Sequence, residues 1–448
     1  MSSMKHAGVG ALGLVLLAAG LATAADPKYD LLLKGGHVID AKNNLSAVRD
    51  VAIAGGKIAA VAPRIDPADA FKTVDVSGLY VTPGLVDIHV HVFTGTGEKN
   101  SYAGDNSVYP DGFTLRVGVT TVADAGCAGW RNFEEFKTRV IDRSKTRVLA
   151  FINIVGNGMR GGAYEQDLAD MAAAPTAEMA KKYPGLIIGV KTAHYAGPEW
   201  TPVEHAVEAG TAANIPVMVD FGANKPERPL AELVAKKLRP GDIYTHMYSG
   251  LRQEQDPTTL GPSKAFIEGR KRGVFFDTGT GGGSFKWSLA VPMVKDGFIP
   301  DSISTDLHIG SMNGATKDEL NVASKMMAIG LSLQEVVAEM TSHPAHEIKR
   351  EDLGNLSQGS VADIAVLRVE KGHYGFTDMQ NTRVDGTQKL VAELTIKDGK
   401  IVYDLNGMEA KLWNEPLDPN AKYASRWTTF APRPPDTHNT TPANEMPH

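Results

Sequence analysis

The sequence predicts an α/β protein: a (β/α)8 TIM barrel in the middle of the chain, with a small β-sandwich domain formed by both chain ends. Eight apolar runs recur between Pro83 and Arg350, and their C-terminal ends lie roughly 25 to 40 residues apart, the length of one strand-plus-helix unit. Near-continuous apolar strands are typical of a parallel sheet buried on both faces. Helical stretches such as Pro202–Ala213 and Leu333–Thr341 fill the gaps. A doubly wound open sheet is the alternative. The runs are Gly84–His91, Val119–Asp124, Arg147–Ile154, Leu186–Lys191, Pro216–Asp220, Asp242–His246, Val274–Thr278 and Ser302–Asp306.

Short strands and turn signals dominate the two ends of the chain. The Gly55-Gly56 and Asp398-Gly399 pairs each separate two apolar runs and predict hairpins. The segment Ser360–Leu367 predicts a further strand. Because both ends are rich in strands, we expect them to pair into one composite domain. The expected organisation is a signal peptide at 1–24, the composite β domain at 25–82 and 355–415, the barrel at 83–350, and a Pro-rich tail at 416–448.

The first residues have the order of a secretory signal. Lys5 supplies a positive charge, Ala7–Leu21 is uncharged, and Ala22-Thr23-Ala24 offers the small residues that a signal peptidase recognises. An uncleaved anchor is the alternative, but this apolar stretch falls short of the ~20 residues that span a bilayer. We expect cleavage after Ala24 and an exported protein without stable membrane insertion, periplasmic if the source is a Gram-negative bacterium and secreted otherwise.

The composition narrows the choice of partners. The 448 residues include 46 Lys+Arg and 52 Asp+Glu, a net charge of −6, whereas nucleic-acid-binding proteins usually carry a basic patch. We expect a small-molecule substrate and no nucleic acid, and leave a homo-oligomer open. The single cysteine, Cys127, cannot form an internal disulfide. It is interpreted as a small buried hydrophobe, with a free thiol as the alternative.

Polar residues end several of the apolar runs. His89 and His91 end the first run, His246 ends the sixth and Asp306 the eighth. Because active sites of barrels lie at the C-terminal ends of the strands, these side chains should share one mouth. Two imidazoles separated by one residue lie on the same face of a strand and suit a divalent metal such as zinc. Buried histidines satisfied by hydrogen bonds are the alternative.

Lys191 ends the fourth run, which is otherwise wholly apolar. Burial disfavours the ammonium ion and should lower the pKa of this lysine. A neutral amine can react with carbon dioxide to give a carbamate, which ligates a metal like a carboxylate. A salt bridge to Asp306 or Asp277 is the alternative.

The combined pattern resembles the amidohydrolase superfamily. Three phrases carry this resemblance: VTPGLVDIHVH (Val81–His91), ISTDLH (Ile303–His308) and GSVADIAVL (Gly359–Leu367). Three others look closest to the dihydroorotase-like amidohydrolase/deacetylase branch: THMYSG (Thr245–Gly250), FFDTG (Phe275–Gly279) and TSHPAHEI (Thr341–Ile348). The resemblance covers the chain apart from the expected signal and tail.

The resemblance implies a site with two divalent metal ions, for which we expect Zn2+. His89 and His91 would hold the more buried metal beside Asp306. A carbamate on Lys191 would bridge the two metals, and His246 with a residue from strand five would hold the second. A metal-activated hydroxide would attack a substrate carbonyl. Asp306 would be the catalytic residue that accepts the proton and passes it to the leaving group.

The chain departs from the family pattern on strand five, where PVMVD ends in Asp220 instead of histidine. Asp220 is expected to ligate the second metal through oxygen. The alternatives are a site with one tightly bound metal and a binding protein that has lost hydrolysis. A milder departure is Thr280, which stands where we expect a histidine in the branch.

The loops after the strands offer candidates for substrate contact. We expect Arg160 to pair with a substrate carboxylate, with a surface salt bridge as the equal alternative. His308 is more typical of a residue that orients its loop. The substrate candidates are Asn157, Arg160, His194, Tyr248 and His308.

These observations lead to a functional hypothesis and argue against a serine hydrolase and a P-loop NTPase. The chain has no G-x-S-x-G elbow at a strand end and no P-loop motif. We expect a metal-dependent hydrolase acting on a carbonyl centre of an amide or acyl ester, with deacetylation of an acetylated small molecule as the leading case. A cyclic amidase of the dihydroorotase or hydantoinase type and a non-catalytic metal-binding homologue are the alternatives.

Overall fold

The computed structural model describes residues 27–222 and 224–415. The signal peptide expected at 1–24 and the tail expected at 416–448 lie outside these residues, so the signal, its cleavage and export stay predictions. Within the described ranges, no helix has both the length and the apolar character needed to cross a bilayer.

Strands and helices alternate through the middle of the chain, whereas strands dominate its ends. The strands are β1 (Leu31–Asp40), β2 (Leu45–Ala54), β3 (Lys57–Ala62), β4 (Thr73–Asp75), β5 (Tyr80–Pro83), β6 (Leu85–Val90), β7 (Val119–Gly129), β8 (Arg147–Asn153), β9 (Ile187–Thr192), β10 (Val217–Val219), β11 (Ile243–Tyr244), β12 (Phe275–Phe276), β13 (Ile364–Thr377), β14 (Arg383–Lys397) and β15 (Lys400–Asp404). The helices are α1 (Phe133–Arg139), α2 (Ala173–Lys182), α3 (Thr201–Ala213), α4 (Leu230–Glu232), α5 (Lys264–Lys271), α6 (Trp287–Lys295), α7 (Ile309–Met312), α8 (Glu319–Ala328), α9 (Leu333–Glu339) and α10 (Ser342–Glu347).

The middle of the chain forms a closed parallel barrel. Strands β6 to β12 pair in sequence order. Parallel bridges join Asp277 to Ser302 and Val90 to Leu307, and so place the run 302–307 between β12 and β6. This run fills the eighth position, so each predicted apolar run occupies one place in the ring. The closed ring excludes the open doubly wound sheet.

The interior of the barrel is a packed apolar core beneath the strand ends. One buried cluster combines residues of β6 to β11, among them Ile88, Phe151 and Met218, with Ala345 of α10. Residues from six different strands of a ring can contact one another only inside it. The barrel is therefore filled below its mouth, and its C-terminal end is where barrel enzymes place their active sites.

Both chain ends build one hydrogen-bonded sheet. β5 pairs parallel with β1 and antiparallel with β13, and the strand order is β15-β14-β13-β5-β1-β2-β3, with β4 on β1. The two predicted hairpins are confirmed: Gly55-Gly56 turns β2 into β3, and Asp398-Gly399 turns β14 into β15, all four residues at positive φ. The strands are linked in a single ladder, so the expected β-sandwich is not confirmed, and the proposed domain limits stay predictions.

A buried carboxyl group joins the first and last barrel positions directly below the mouth. Asp87 on β6 accepts hydrogen bonds from the backbone N–H and the hydroxyl of Thr305, and also from the backbone N–H of His89. Burial raises the pKa of Asp87 to about 7, although these hydrogen bonds oppose the shift. This link fixes β6 against the run that carries Asp306.

Helix α8, which packs against β14, contains a buried lysine. Lys325 is fully buried, its Nζ has no hydrogen-bond partner among the described residues, and it lies 5.2 Å from the centre of the Phe285 ring. Burial lowers the pKa of Lys325 to about 7, with a further lowering from Lys317. In the folded protein the Lys325 amine therefore loses its proton near pH 7. In the unfolded chain the same amine keeps its proton up to its ordinary pKa of 10.5.

We predict that Lys325→Met raises the free energy of unfolding near neutral pH. The gain should be on the order of 3 kcal/mol at and below pH 7 and should shrink as the pH rises from 7 towards 10.5, because the wild-type penalty disappears over that interval. Thermal and urea unfolding at pH 7 and pH 10 measure the effect, with the exposed Lys264→Met as the control. A gain of equal size at both pH values would contradict the assignment.

Candidate metal centre

The structure brings together all six predicted metal ligands at the mouth of the barrel. They lie at or just beyond the ends of β6, β9, β10, β11 and the eighth run, and every one is buried. The contacts among them are His91 Nε2 to Asp306 Oδ1 at 2.9 Å, Lys191 Nζ to His89 Nε2 at 3.0 Å, and His246 Nε2 to Asp220 Oδ2 at 3.4 Å. Side chains from five separate elements thus face one small volume.

His89, His91 and Asp306 form the tightest group of potential ligands. Their ligand atoms all lie within 4.8 Å of one another. In addition, His89 Nε2 lies 3.6 Å from Asp306 Oδ1. Two imidazole nitrogens and a carboxylate oxygen are a donor set that zinc and similar divalent cations accept. The residues present therefore fit a divalent metal ion.

Outer hydrogen bonds orient both imidazoles. Thr245 donates its hydroxyl hydrogen to Asp277 at 2.6 Å, so its oxygen is free to accept from Nδ1 of His89, 2.9 Å away. Nδ1 of His91 contacts the Cys127 sulfur at 3.2 Å. Such outer partners fix the ring orientation and leave Nε2 of each histidine directed into the centre. Burial, together with the charge of Lys191, holds the pKa of His89 well below its usual value, which favours the neutral, metal-binding form.

The backbone at two ligand positions lies in the left-handed region. Asp306 has φ 48° and His246 has φ 66°. Neither residue is glycine, so each conformation costs about 1–2 kcal/mol. Strain of this kind persists where the surroundings determine the conformation, and it is common at functional sites. Burial raises the pKa of Asp306, but its contact with His91 more than compensates and lowers the pKa below the usual value.

Lys191 is fully buried and forms no ion pair among the described residues. Its Nζ contacts His89 Nε2 and, at 3.5 Å, the Met218 sulfur. Burial lowers the pKa of Lys191, and the more distant carboxylates of Asp220 and Asp306 only partly oppose this. The alternative expectation of a direct salt bridge to Asp306 or Asp277 is therefore wrong.

Asp220 lies between a guanidinium group and two imidazoles. Its Oδ1 is 2.5 Å from Arg252, and its Oδ2 is 3.3 Å from Nε2 of His194 and 3.4 Å from Nε2 of His246. Burial would raise the pKa of Asp220, but the charge of the Arg252 guanidinium holds it well below the usual value. The strand-five residue thus enters the site as a carboxylate.

Two of the predicted substrate residues are occupied by contacts within the protein. Asn157 lies next to Asp170 and donates to it through both its backbone and its side-chain N–H groups. Arg160 forms an ion pair with Glu98, which corresponds to the salt bridge that was its alternative role. We therefore do not place either side chain at the substrate.

Tyr248 belongs to the core. It is fully buried, its ring packs edge-on against Phe285, and its hydroxyl donates to the Phe298 carbonyl at 3.4 Å. Its expected role in the substrate pocket is wrong. Although Tyr248 lies only two residues after His246 in the sequence, its side chain packs in the core and not at the mouth.

The structure does place His308 and His194 at the mouth. The ring centre of His308 lies 6.3 Å from that of His91, and its Nδ1 accepts from the Gly310 N–H as the N-cap of α7. His308 therefore orients its loop, as its sequence context indicated. In contrast, His194 contacts Asp220 directly.

Several residues of the site were missed by the sequence analysis. Cys127, interpreted as a buried hydrophobe, is buried but contacts His91. Thr245 precedes His246 and could have been noticed as a strand-end hydroxyl. Arg252, Glu165 and Tyr102 come from segments between the barrel strands, and no spacing in the sequence relates them to the strand ends.

The sequence is similar to a known protein family and to two deacetylases. The model described as "Amidohydrolase family" matches residues 286–403. A deacetylase of Agrobacterium fabrum is 32% identical over 344 residues, which cover 73% of this chain and 80% of that protein. A deacetylase of Enterococcus faecalis is 30% identical over 384 residues, which cover 84% of this chain and 99% of that protein.

Two solved structures share the fold over most of the chain. A crystal structure of an adenine deaminase has a TM-score of 0.76 and 29% identity, covering 84% of this chain and 100% of its own. A crystal structure of a dihydroorotase has a TM-score of 0.72 and 27% identity, covering 84% and 99%. The barrel and the strands around it are thus an arrangement that this chain shares with an adenine deaminase and a dihydroorotase.

The loop after β12 provides a test of the first ligand group. A Cβ atom on Gly281 would lie 2.1 Å from Asp306 Oδ2, and this glycine has φ +54°. We predict that Gly281→Ala displaces the Asp306 carboxylate and weakens metal binding by about tenfold or more, as is typical when a residue that supports a ligand is lost. Gly283→Ala is the matched control, since a Cβ there meets nothing within 4 Å. Metal titration of both variants measures the effect, and equal affinities would contradict the prediction.

Proposed function

Since the chain belongs to the amidohydrolase superfamily and is therefore a hydrolase, we propose that it removes an acetyl or related acyl group from a small molecule. The bond cleaved is an amide or acyl ester, and the attacked atom is its carbonyl carbon. The non-catalytic alternative loses its support, because the chain belongs to this family and has a buried group of potential metal ligands.

One observation carries the proposal: His89, His91 and Asp306 converge, buried, at the mouth of a closed barrel. A site that only held the fold together would not need two imidazoles with their Nε2 atoms directed at one carboxylate. The packed interior below these residues leaves the mouth as the side from which a substrate can arrive.

His89 and His91 would hold the metal ion, with Asp306 beside it. When bound, a divalent metal polarises a substrate carbonyl and lowers the pKa of a water molecule. Asp306 is a carboxylate at neutral pH, because its contact with His91 lowers its pKa. It can therefore accept the proton of the attacking water and deliver it to the leaving nitrogen or oxygen.

Lys191 would contribute as a carbamate. Its buried amine has a lowered pKa and no carboxylate partner, so the neutral, nucleophilic form is accessible. Attack of the amine nitrogen on carbon dioxide forms a carbon–nitrogen bond and releases one proton. The resulting anion would offset the positive charge of the bound metal, in the position from which Nζ now contacts His89.

The deacetylase relatives favour acyl transfer to water as the reaction. They are 30% and 32% identical over most of their lengths. The dihydroorotase structure, at 27% identity and a TM-score of 0.72, supports a second candidate, opening of a cyclic amide. Both reactions use the same attack on a carbonyl carbon and differ in whether the leaving nitrogen remains attached to the product.

We predict that Lys191→Ala loses bound metal and hydrolysis together. Added bicarbonate with a short carboxylic acid should restore part of both, because the free acid can occupy the place of the carbamate. Metal analysis and initial rates measure the effect, and Lys264→Ala is the control for loss of an exposed lysine. Full turnover in Lys191→Ala without any additive would eliminate the ligand role.

A substrate panel distinguishes the two candidate reactions. We expect purified, metal-loaded protein to release acetate from N-acetyl amino acids or O-acetyl esters, and chelation to abolish the release. Dihydroorotate and hydantoins should react at least about tenfold more slowly, which corresponds to roughly 1.4 kcal/mol in the barrier. Faster ring opening than acetate release would assign the protein to the cyclic amidases.

A further inference from the structure

We infer that a pocket at the base of the barrel is a second ligand site, and that it binds a small organic ammonium ion with an apolar body. The pocket, which we call the basal pocket, has a volume of about 500 Å³. Small-molecule sites typically measure about 300–1,000 Å³. The inference does not depend on the proposed hydrolysis. The residues that line the basal pocket include Lys42, Phe275, Asp301, His346, Glu347 and Leu353.

Three parts of the fold form the walls of the basal pocket. Phe275 begins β12, and Asp301 directly precedes the eighth barrel run, so both lie at the N-terminal ends of barrel strands. Helix α10 closes the same end of the barrel, where its Ala345 packs into the interior cluster. The turn after β1 supplies Lys42. The predicted metal ligands lie at the C-terminal ends of the strands, so the basal pocket is separate from the metal centre.

Glu347 on α10 is the residue of the wall that points to a ligand. It is 2% exposed, and its Oε1 has no hydrogen-bond partner within the described part of the chain. Its Oε2 lies 3.1 Å from the Ser302 hydroxyl, which also lies 2.9 Å from Asp277. A hydroxyl group has a single hydrogen to donate, so only one of these two carboxyl groups receives it. Glu347 therefore lacks a donor, and an N–H group in the basal pocket would supply one.

The charges of the wall favour a cation. Asp301, Glu347 and Glu351 bring three carboxyl groups to the basal pocket, whereas Lys42 is the one lysine or arginine among the described residues that line it. The Lys42 ammonium contacts the backbone carbonyl of Glu351 and not a carboxyl group. Arg270 pairs with Asp301 at 3.1 Å, but Glu347 forms no ion pair among the described residues. The excess of carboxyl groups attracts a positively charged ligand.

The remainder of the wall suits an apolar body. Leu353 is buried, and the half-buried ring of Phe275 packs edge-on against the ring of His346, with 5.9 Å between the ring centres. Aromatic rings attract ammonium groups, and apolar walls cover an alkyl or aryl group. Charge and shape together therefore favour an amine over an inorganic ion.

A metal ion fits the basal pocket less well than an organic cation. Among the described residues, the one group of three potential ligands within 4.8 Å of one another is His89, His91 and Asp306, at the other end of the barrel. The carboxyl and imidazole groups of the basal pocket do not converge in this way. An ammonium group, in contrast, needs only one carboxylate, and its apolar body fills the remaining space.

The competing account is that Glu347 is a buried neutral acid that binds nothing. Burial, together with the neighbouring carboxyl groups of Asp301 and Asp277, raises the pKa of Glu347 well above its usual value. A cation beside Glu347 would favour the ionised form, because an opposite charge lowers the pKa of a carboxyl group. The two accounts differ in whether an amine binds through this carboxyl group, which can be measured without an activity assay.

The test is isothermal titration calorimetry of the full-length protein with benzylammonium at pH 7. Benzyl alcohol and benzoate are the neutral and anionic analogues of similar shape. We expect benzylammonium to bind and both analogues to bind at least about tenfold more weakly, because only the ammonium ion forms a charge-assisted hydrogen bond with a carboxylate.

Variants locate the binding. Glu347→Gln, which keeps the shape of the side chain, should bind benzylammonium at least about tenfold more weakly. Ser342→Phe, which fills the basal pocket from another part of its wall, should weaken binding while Glu347 is intact. Glu208→Gln removes an exposed carboxylate on α3 and should bind normally. His91→Ala, which alters the metal centre, should also bind with unchanged affinity.

Three outcomes would overturn the inference. The first is a wild type that does not bind benzylammonium at millimolar concentrations, or that binds benzoate equally well. The second is unchanged affinity in Glu347→Gln or in Ser342→Phe. The third is loss of binding in His91→Ala, which would assign the amine to the metal centre. Thermal unfolding of each variant confirms that the compared proteins are folded, and Ser342→Phe decides the question if Glu347→Gln does not fold.

Discussion

The constraint on which the site depends is electrostatic: electron-pair donors are buried together at the mouth of the barrel, and three of them fit a divalent cation. Nε2 of His91 faces Asp306 at 2.9 Å, and Nε2 of His246 faces Asp220 at 3.4 Å. The chain supplies Arg252 to one of these carboxylates and leaves Lys191 without a carboxylate partner within the described part of the chain. Unpaired charges and lone pairs are costly in such an environment. A divalent ion fits this arrangement, and apolar side chains pack beneath the mouth.

The barrel holds the strand ends in the positions that these contacts between side chains need. Asp87 accepts hydrogen bonds from Thr305 and so ties the first barrel position to the last, just below His89 and Asp306. The left-handed backbone at Asp306 directs its side chain inward at a cost that the closed ring supports. Outer partners then set the rings: Thr245 orients His89, and the Gly279 carbonyl orients His246.

The aspartate on strand five occupies a position where the resemblance to the superfamily predicts a histidine. A shorter carboxylate reaches less far than an imidazole, and here a guanidinium holds one of its oxygens while a loop histidine approaches the other. Substitution at one strand end is thereby linked to residues on two different loops, Arg252 after β11 and His194 after β9.

The sequence by itself determined the barrel, the hairpins at both ends and the polar strand-end residues that meet at the mouth. These features follow from local periodicity and turn chemistry: eight apolar runs mark eight barrel positions, and the Gly55-Gly56 and Asp398-Gly399 pairs adopt the positive φ that their turns need. Only the tertiary structure decided which side chains meet. Tyr248 lies two residues from His246 yet belongs to the core, and Arg252 and Glu165 reach the site from segments between the barrel strands. Spacing along a strand reports the face on which a residue lies, whereas the approach of one loop to another depends on packing across the whole ring, which no local pattern encodes.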